Sequence, residues 1–210
     1  MYVRCENVSK IIKKQVILNN IDLSLEKGKI HGIRGYNGSG KTMLLRAIAG
    51  LVKPSEGTVL VNNKIVGKDT PFPESIGVLI EYPSFIPDYT GYKNLLFLAK
   101  VKNRISEEEI KNTISLVGLD PNDKRKYKKY SLGMKQRLGI AQAIMENPDL
   151  LLLDEPSNAL DEKGIQQLIR ILKTLKSEGK TIIVTSHDHD FLEQVADDTY
   201  TISEGAVMNE

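Results

Sequence analysis

Apolar positions along this chain switch between two spacings. Leu44, Leu45 and Ile48 fall on one face of a helix predicted over residues 41–50. Ile165, Leu168, Ile169, Leu172 and Leu175 repeat that helical spacing and stop at Gly179, a residue suited to a helix end. Short apolar runs lie between these helices. Leu150–Asp154 opens with four leucines, Thr181–Ser186 is rich in isoleucine and valine, and residues 29–35 read as another strand. Residues 57–66 predict a hairpin turning at Asn62-Asn63, and residues 1–30 read as short strands joined at Glu26-Lys27-Gly28. Helix and strand signals that alternate in this way argue for an α/β domain with a largely parallel sheet.

From Pro83 the character changes. Pro83, Pro87 and Gly91 punctuate a loop, after which helices dominate to Met145. Ser106 has the N-cap position and Glu109 the capping-box position of a helix whose apolar stripe, Ile110, Ile114 and Val117, stops at Gly118. Residues 83–140 are therefore expected to form a helical insert, with residues 1–82 and 141–210 making up the sheet domain of a single 210-residue unit.

Composition adds bounds. A chain of 210 residues supports one good core. A net charge of +2 gives no global field that would point to nucleic acid or membrane. The single cysteine, Cys5, excludes an internal disulfide and fits a reducing compartment. Residues 1–20 lack the apolar stretch of a signal peptide, and no run approaches the ~20 apolar residues that span a bilayer. These features predict a soluble, cytosolic chain.

The chemistry concentrates in two places. Gly35-Tyr36-Asn37-Gly38-Ser39-Gly40-Lys41-Thr42 matches the phosphate-binding-loop pattern in full, between a predicted strand and a predicted helix. Its glycines let backbone N–H groups turn toward phosphate oxygens, and the helix start adds the positive end of its dipole. Lys41 supplies a full charge to the β- and γ-phosphates, and the Thr42 hydroxyl is placed to ligate Mg²⁺. At the end of the leucine strand, Asp154 and Glu155 are adjacent. Neighbouring strand residues point to opposite faces, but at a strand end the chain can turn both carboxylates to one side. Asp154 would then hold Mg²⁺ through its water shell, and Glu155 would polarise an attacking water.

Tyr130-Ser131-Leu132-Gly133-Met134-Lys135-Gln136-Arg137, followed by Leu150–Asp154, Glu155-Pro156 and then Ser157-Asn158-Ala159-Leu160-Asp161, resembles the ATP-binding cassette (ABC) family. The resemblance runs over residues 2–207. It implies a phosphate-loop ATPase with a mixed sheet flanked by helices, an antiparallel β subdomain and a helical insert. It implies ATP and Mg²⁺ as ligands, and a dimer in which each copy completes the other's site. By position, His187 matches the family's switch histidine, within reach of the γ-phosphate. Ser131 and Gly133 match the signature turn that covers the partner's ATP, although Ser131 alone could simply cap a helix. Asp161 matches the loop that meets its counterpart across the dimer, and it too could be just a helix cap. His31 and His189 have no such match and are read as structural.

The chain departs from the family pattern at several points. Leu132 and Met134 replace the first glycine and the glutamine of the usual Leu-Ser-Gly-Gly-Gln, and Met43 replaces a threonine after Thr42. Glu81 stands where the family has glutamine, still able to bind Mg²⁺ or its water. Ile12, joined by Ile17, stands where an aromatic usually stacks on adenine, leaving an apolar wall without stacking. Glu81 together with Tyr130-Ser131-Leu132-Gly133-Met134-Lys135-Gln136-Arg137 resembles the exporter ATPases of bacterial antimicrobial-peptide resistance and immunity, of the bacitracin and lantibiotic type.

The expectation is thus an ATP-hydrolysing subunit on the inner face of the cell membrane. It pairs with a second such domain, identical or paralogous, drives separate permease subunits and has no nucleic-acid partner. The basic stretch Lys124-Arg125-Lys126-Tyr127-Lys128-Lys129 reads as a solvated loop near the face that would dock the permease. Two alternatives stay open at this level: a soluble cassette acting on ribosomes or DNA, and a low-turnover regulatory subunit.

Overall fold

The computed structural model describes residues 1–208. Strands β1 (Val3–Ile12) and β2 (Gln15–Leu25) form a long antiparallel hairpin. It turns at Lys13-Lys14, whose φ angles of 48° and 69° are both left-handed, the geometry that two-residue hairpin loops need. The opening strands are therefore longer than their sequence suggests. Glu26-Lys27-Gly28 does not close a hairpin between them but leads from β2 into β3 (Ile30–Arg34). Strands β4 (Glu56–Val61) and β5 (Lys64–Ile65), turning at Asn62-Asn63 as predicted, complete a four-stranded antiparallel sheet in the order β2-β1-β4-β5.

The second sheet takes β6 (Ile76–Leu79), β7 (Leu150–Asp154), β8 (Thr181–Ser186), β9 (Asp198–Ser203) and β10 (Ala206–Met208), in the order β10-β9-β3-β8-β7-β6. All its neighbours run parallel except β9 and β10. Helix α1 (Lys41–Ile48) packs between the two sheets. Helices α2 (Gly91–Lys102), α3 (Glu107–Leu116), α4 (Leu132–Ile144), α5 (Glu162–Ser177) and α6 (His189–Val195) contribute to the core on the other face.

Strand β7 shows how sequence builds these layers. Leu150 and Leu152 join the core beneath α1, while Leu151 and Leu153 join the core beneath the other helices. A central parallel strand is buried on both faces, so a continuous leucine run is what the position requires. Each leucine removed from water contributes roughly 1.5–3 kcal/mol. The helical region shares this core, since α2, α3 and α4 pack with β7 and β8. The capping box of Ser106 and Glu109 at the start of α3 is formed as predicted. Helix α4 continues without a break through residue 140 and lies hard on β6, where a Cβ at Gly77 would stand 1.9 Å from the Ala143 carbonyl oxygen.

This topology sets the site. Parallel β3, β8 and β7 are neighbours in register, Arg34 beside Ser186 and Asp154 beside Thr185. The loops leaving their C-terminal ends converge at one edge, where α/β sheets bind ligands.

Candidate active site

Residues 35–40 connect β3 to α1 as a turn, and α1 begins at Lys41. Lys41 is only 5% exposed. A buried ammonium needs acceptors, and it donates to the carbonyls of Gly35 (2.6 Å) and Tyr36 (3.2 Å). Tyr36, Asn37, Gly38, Gly40, Lys41, Thr42 and Met43 all line one open cleft of about 420 Å³ with Asp154, Glu155 and Glu81. Ser39 lies beneath this loop, its hydroxyl buried without a hydrogen-bond partner. Ile12 does not line the cleft. It sits 40% exposed near the hairpin tip, paired with Gln15, and it is Gln15 and Ile17 that form the wall.

Asp154 is 6% exposed, with both carboxylate oxygens engaged. Oδ2 accepts from the Thr42 hydroxyl at 2.8 Å and Oδ1 from the Thr185 hydroxyl at 2.6 Å. Glu155 leaves the strand with a left-handed φ of 47°, and its N–H donates to the Thr185 carbonyl and hydroxyl, both at 3.1 Å. That bend brings its carboxylate to the same side as Asp154. Oε2 takes hydrogen bonds from His187 Nδ1 (2.8 Å), the His187 N–H (3.3 Å) and the Ser186 hydroxyl (3.4 Å). An ionised carboxylate only accepts, so Nδ1 carries the proton in this pair. Oε1 is buried, makes no hydrogen bond and lies 3.5 Å from Lys41 Nζ.

The five predicted residues Lys41, Thr42, Asp154, Glu155 and His187 are therefore gathered by direct contacts. Thr185 and Ser186, which no sequence motif singled out, hold the two carboxylates from β8. Glu81 has a left-handed φ of 60° and reaches the cleft, but its carboxylate is paired with Arg46 at 2.6 Å. No group of three or more His, Cys, Asp or Glu side chains able to hold a metal occurs among the described residues. The Thr42 hydroxyl and the Asp154 carboxylate are hard oxygen donors beside the phosphate loop. They suit Mg²⁺, which keeps most of its ligands as water and phosphate.

The signature turn stands apart. Ser131 caps α4, its hydroxyl accepting from the Met134 N–H at 3.2 Å, and Leu132 beside it is 56% exposed. Neither Ser131 nor Gly133 lines the phosphate cleft. Asp161 caps α5, accepting from the Gly164 N–H, and also pairs with Arg137 Nη2 at 3.0 Å. In the basic stretch, Lys126 and Lys128 pair with Asp88, and Arg125 pairs with Asp123. His31 is buried in β3 with Nε2 3.0 Å from the Glu26 carbonyl oxygen, and His189 meets Arg34 and Glu193, so neither touches Glu155.

Residues 18–158 match the family described as ABC transporter. Over 95% of its length the chain is 47% identical to the uncharacterized ABC transporter ATP-binding protein YybJ of Bacillus subtilis, covering 91% of that protein. The chain belongs to the ABC transporter family. It is also 39% identical to the bacitracin transport ATP-binding protein BcrA of Enterococcus faecalis, over 99% of this chain and 68% of that one. Among solved structures, the dimeric post-hydrolysis state of the ATP-binding cassette MJ0796 bound to ADP and Pi superposes with a TM-score of 0.90. That match has 27% identity and covers 99% of this chain and 97% of that one. This protein is thus an ABC cassette, an ATPase subunit of the transporter type, and cassettes of this family dimerise and work with membrane subunits. No helix among its described residues is long and apolar enough to cross a membrane.

Proposed function

We propose that this cassette powers export of a peptide antibiotic of the bacitracin kind, acting as a pair on separate permease subunits at the inner face of the membrane. The observation that carries the reading is the junction of Lys41, Thr42–Asp154 and Glu155–His187 at one sheet edge, in a chain 39% identical to a bacitracin transport ATP-binding protein. In this scheme Lys41 and the loop N–H groups bind the β- and γ-phosphates, with Met43 contributing only its backbone. Thr42 and Asp154 would hold Mg²⁺, with Glu81 as a further oxygen donor. The ion supplies neutralisation of phosphate charge.

Glu155 orients and polarises the attacking water, and His187 fixes the Glu155 carboxylate from behind while facing the γ-phosphate. Gln15 and Ile17 take the base-wall role expected of Ile12. Ser131 and Gly133 cover the ATP of the second copy, whose own signature turn does the same in return. Asp161 approaches the partner's phosphate loop. ATP binding closes the pair, and hydrolysis releases it.

The test is to purify the tagged protein from its native cells in mild detergent and identify what accompanies it, alongside growth of a Glu155→Gln strain on bacitracin-type peptides. A multi-spanning membrane protein in stoichiometric yield and raised peptide sensitivity are the expected results. Ribosomal or DNA-bound partners without a membrane protein would overturn the transport scheme. Unchanged sensitivity would overturn the cargo.

A further inference from the structure

The residues that act on this chain's own nucleotide and those offered to the partner's nucleotide lie on different elements. Within one chain, however, they are tied together by the first turns of α4. Gln136, buried to 5% exposure, aims its side-chain amide at the loop after β7: Nε2 donates to the Glu155 carbonyl and to the Pro156 carbonyl, each at 3.2 Å. An amide nitrogen has two hydrogens, and this one places both on consecutive carbonyls. One turn earlier, Gly133 lies so close to the same loop that a Cβ would stand 2.8 Å from the Ala159 carbonyl oxygen. Arg137, next along the helix, reaches Asp161.

The loop so held is not one that rests easily. Glu155 and Ala159 both have left-handed φ, 47° and 63°, which residues with a Cβ rarely adopt and which persist only where the surroundings enforce them. Pro156 has no N–H to contribute to a turn of its own. The bend at Glu155 is also what swings its carboxylate away from the alternation of the strand and onto His187.

We infer that Gln136 is a positioning residue for hydrolysis: through the carbonyls of Glu155 and Pro156 it holds the bend that aims the Glu155 carboxylate. It also makes the placement of this chain's own signature turn felt at its own Glu155. The inference rests on the role proposed for Glu155. Its consequence is that closing Ser131 and Gly133 over the partner's ATP moves α4, and with it the carboxylate that serves this chain's ATP. The two sites of a pair are then linked through one side-chain amide on each copy.

The experiment compares steady-state ATP hydrolysis and nucleotide binding for Gln136→Leu, which keeps the bulk and loses the donor, with Glu155→Gln as reference. Gln136→Glu, which keeps the length but faces two carbonyls with a carboxylate, is the second variant should the first not fold. Misplacing a reacting group by about 1 Å costs on the order of a hundredfold in rate. The expected result is therefore a kcat lowered at least about tenfold, with KM and the Kd for ATP within about twofold of the unaltered protein. A full kcat in Gln136→Leu beside an inactive Glu155→Gln overturns the role of Gln136 alone. Loss of kcat, nucleotide affinity and thermal midpoint together in both Gln136 variants would show a merely structural residue and overturn it as well. A Glu155→Gln protein that turns over normally overturns the reading of Glu155 itself, and this inference with it.

Discussion

The sheet edge and the start of α4 hold the groups proposed to face nucleotide in opposite ways. At the sheet edge Lys41 and Asp154 are buried, and Thr185 and Ser186 beneath them are fully so. Almost every polar atom there is already oriented by a neighbour, Asp154 by two hydroxyls and Glu155 Oε2 by His187 and Ser186. At the start of α4, Ser131 is exposed, its hydroxyl accepts only a helix-cap hydrogen bond, and Leu132 projects into solvent. Dipoles fixed before the reaction need no reorganisation during it, so the chain prearranges the groups proposed to act on its own triphosphate. Ser131 and Gly133, in the scheme proposed above, are instead a surface for a second chain. The difference teaches where cooperation would enter: the polar groups of the sheet edge are arranged within one chain, and those of the signature turn are left outward.

The comparison breaks first, and most visibly, at Glu155. Glu155→Gln keeps the shape and the loop but removes the charge proposed to polarise water, and general-base groups contribute about 10²–10⁴-fold. Turnover should fall by at least about a hundredfold while ATP is still bound, and the protein should accumulate as an ATP-bound dimer on size exclusion. Rapid hydrolysis by this variant would mean that the sheet edge is not the self-sufficient half described above.

Much of the sheet edge was legible in sequence because the chemistry dictates residue types at fixed spacing. Gly35 to Thr42 and the Asp154-Glu155 pair behind four leucines leave few other readings. What escaped was geometry made by ordinary residues. The β1–β2 hairpin turns on Lys13-Lys14, which carry none of the Asn or Gly signals of such turns. Ile12 is the base-wall position that the family resemblance implies, with Ile17 beside it, but the turn leaves Ile12 near the hairpin tip, and Gln15 and Ile17 line the cleft.

Strand β6 is four residues with a glycine in it, chosen for its closeness to α4 and not for strand propensity. The hairpin of β9 and β10 mixes threonine, tyrosine and charge, so its place at the sheet edge is set by pairing with β3 and not by a buried alternating stripe. Gln136, Thr185 and Arg46 are invisible for a further reason. A polar side chain in a helix or at a strand end looks the same in sequence whether it faces water or a buried carbonyl.

The outward half is tested by Ser131→Ala, with a smaller effect than Glu155→Gln. The substitution removes a helix cap, worth about 1 kcal/mol, and, in the proposed scheme, a donor for the partner's phosphate, of a kind whose loss costs about a hundredfold or more in rate. Turnover should fall roughly a hundredfold, while the affinity of the lone chain for ATP, measured by titration at protein concentrations too dilute for the pair to form, stays as it was. A loss of affinity in the monomer would mean that Ser131 faces its own nucleotide, and the division between the two regions would collapse.

The smallest expected effect lies in the seam that joins the two regions. Residues 83–91, leaving the cleft at Glu81, run beside residues 126–130, leading into the signature turn. The Tyr127 N–H donates to the Tyr89 carbonyl (2.8 Å), the Lys128 N–H to the Pro87 carbonyl (3.0 Å) and the Tyr127 hydroxyl to the Pro83 carbonyl (2.7 Å). Burial pushes the Tyr127 hydroxyl above its ordinary pKa, so it remains a donor at working pH. Phe85 and Tyr130 flank its ring at centroid distances of 5.2 and 5.9 Å, which keeps the side chain in place when the hydroxyl is removed. Tyr127→Phe should therefore cost only about 1 kcal/mol, the usual net worth of one hydrogen bond. In a chain of this size that is a fall of roughly 2–4 °C in thermal midpoint. ATP affinity should not change, because the phosphate loop is held from the sheet. A lowered ATP affinity in Tyr127→Phe would show that the seam supports the phosphate cleft itself, and that the sheet edge depends on the helical side even within one chain.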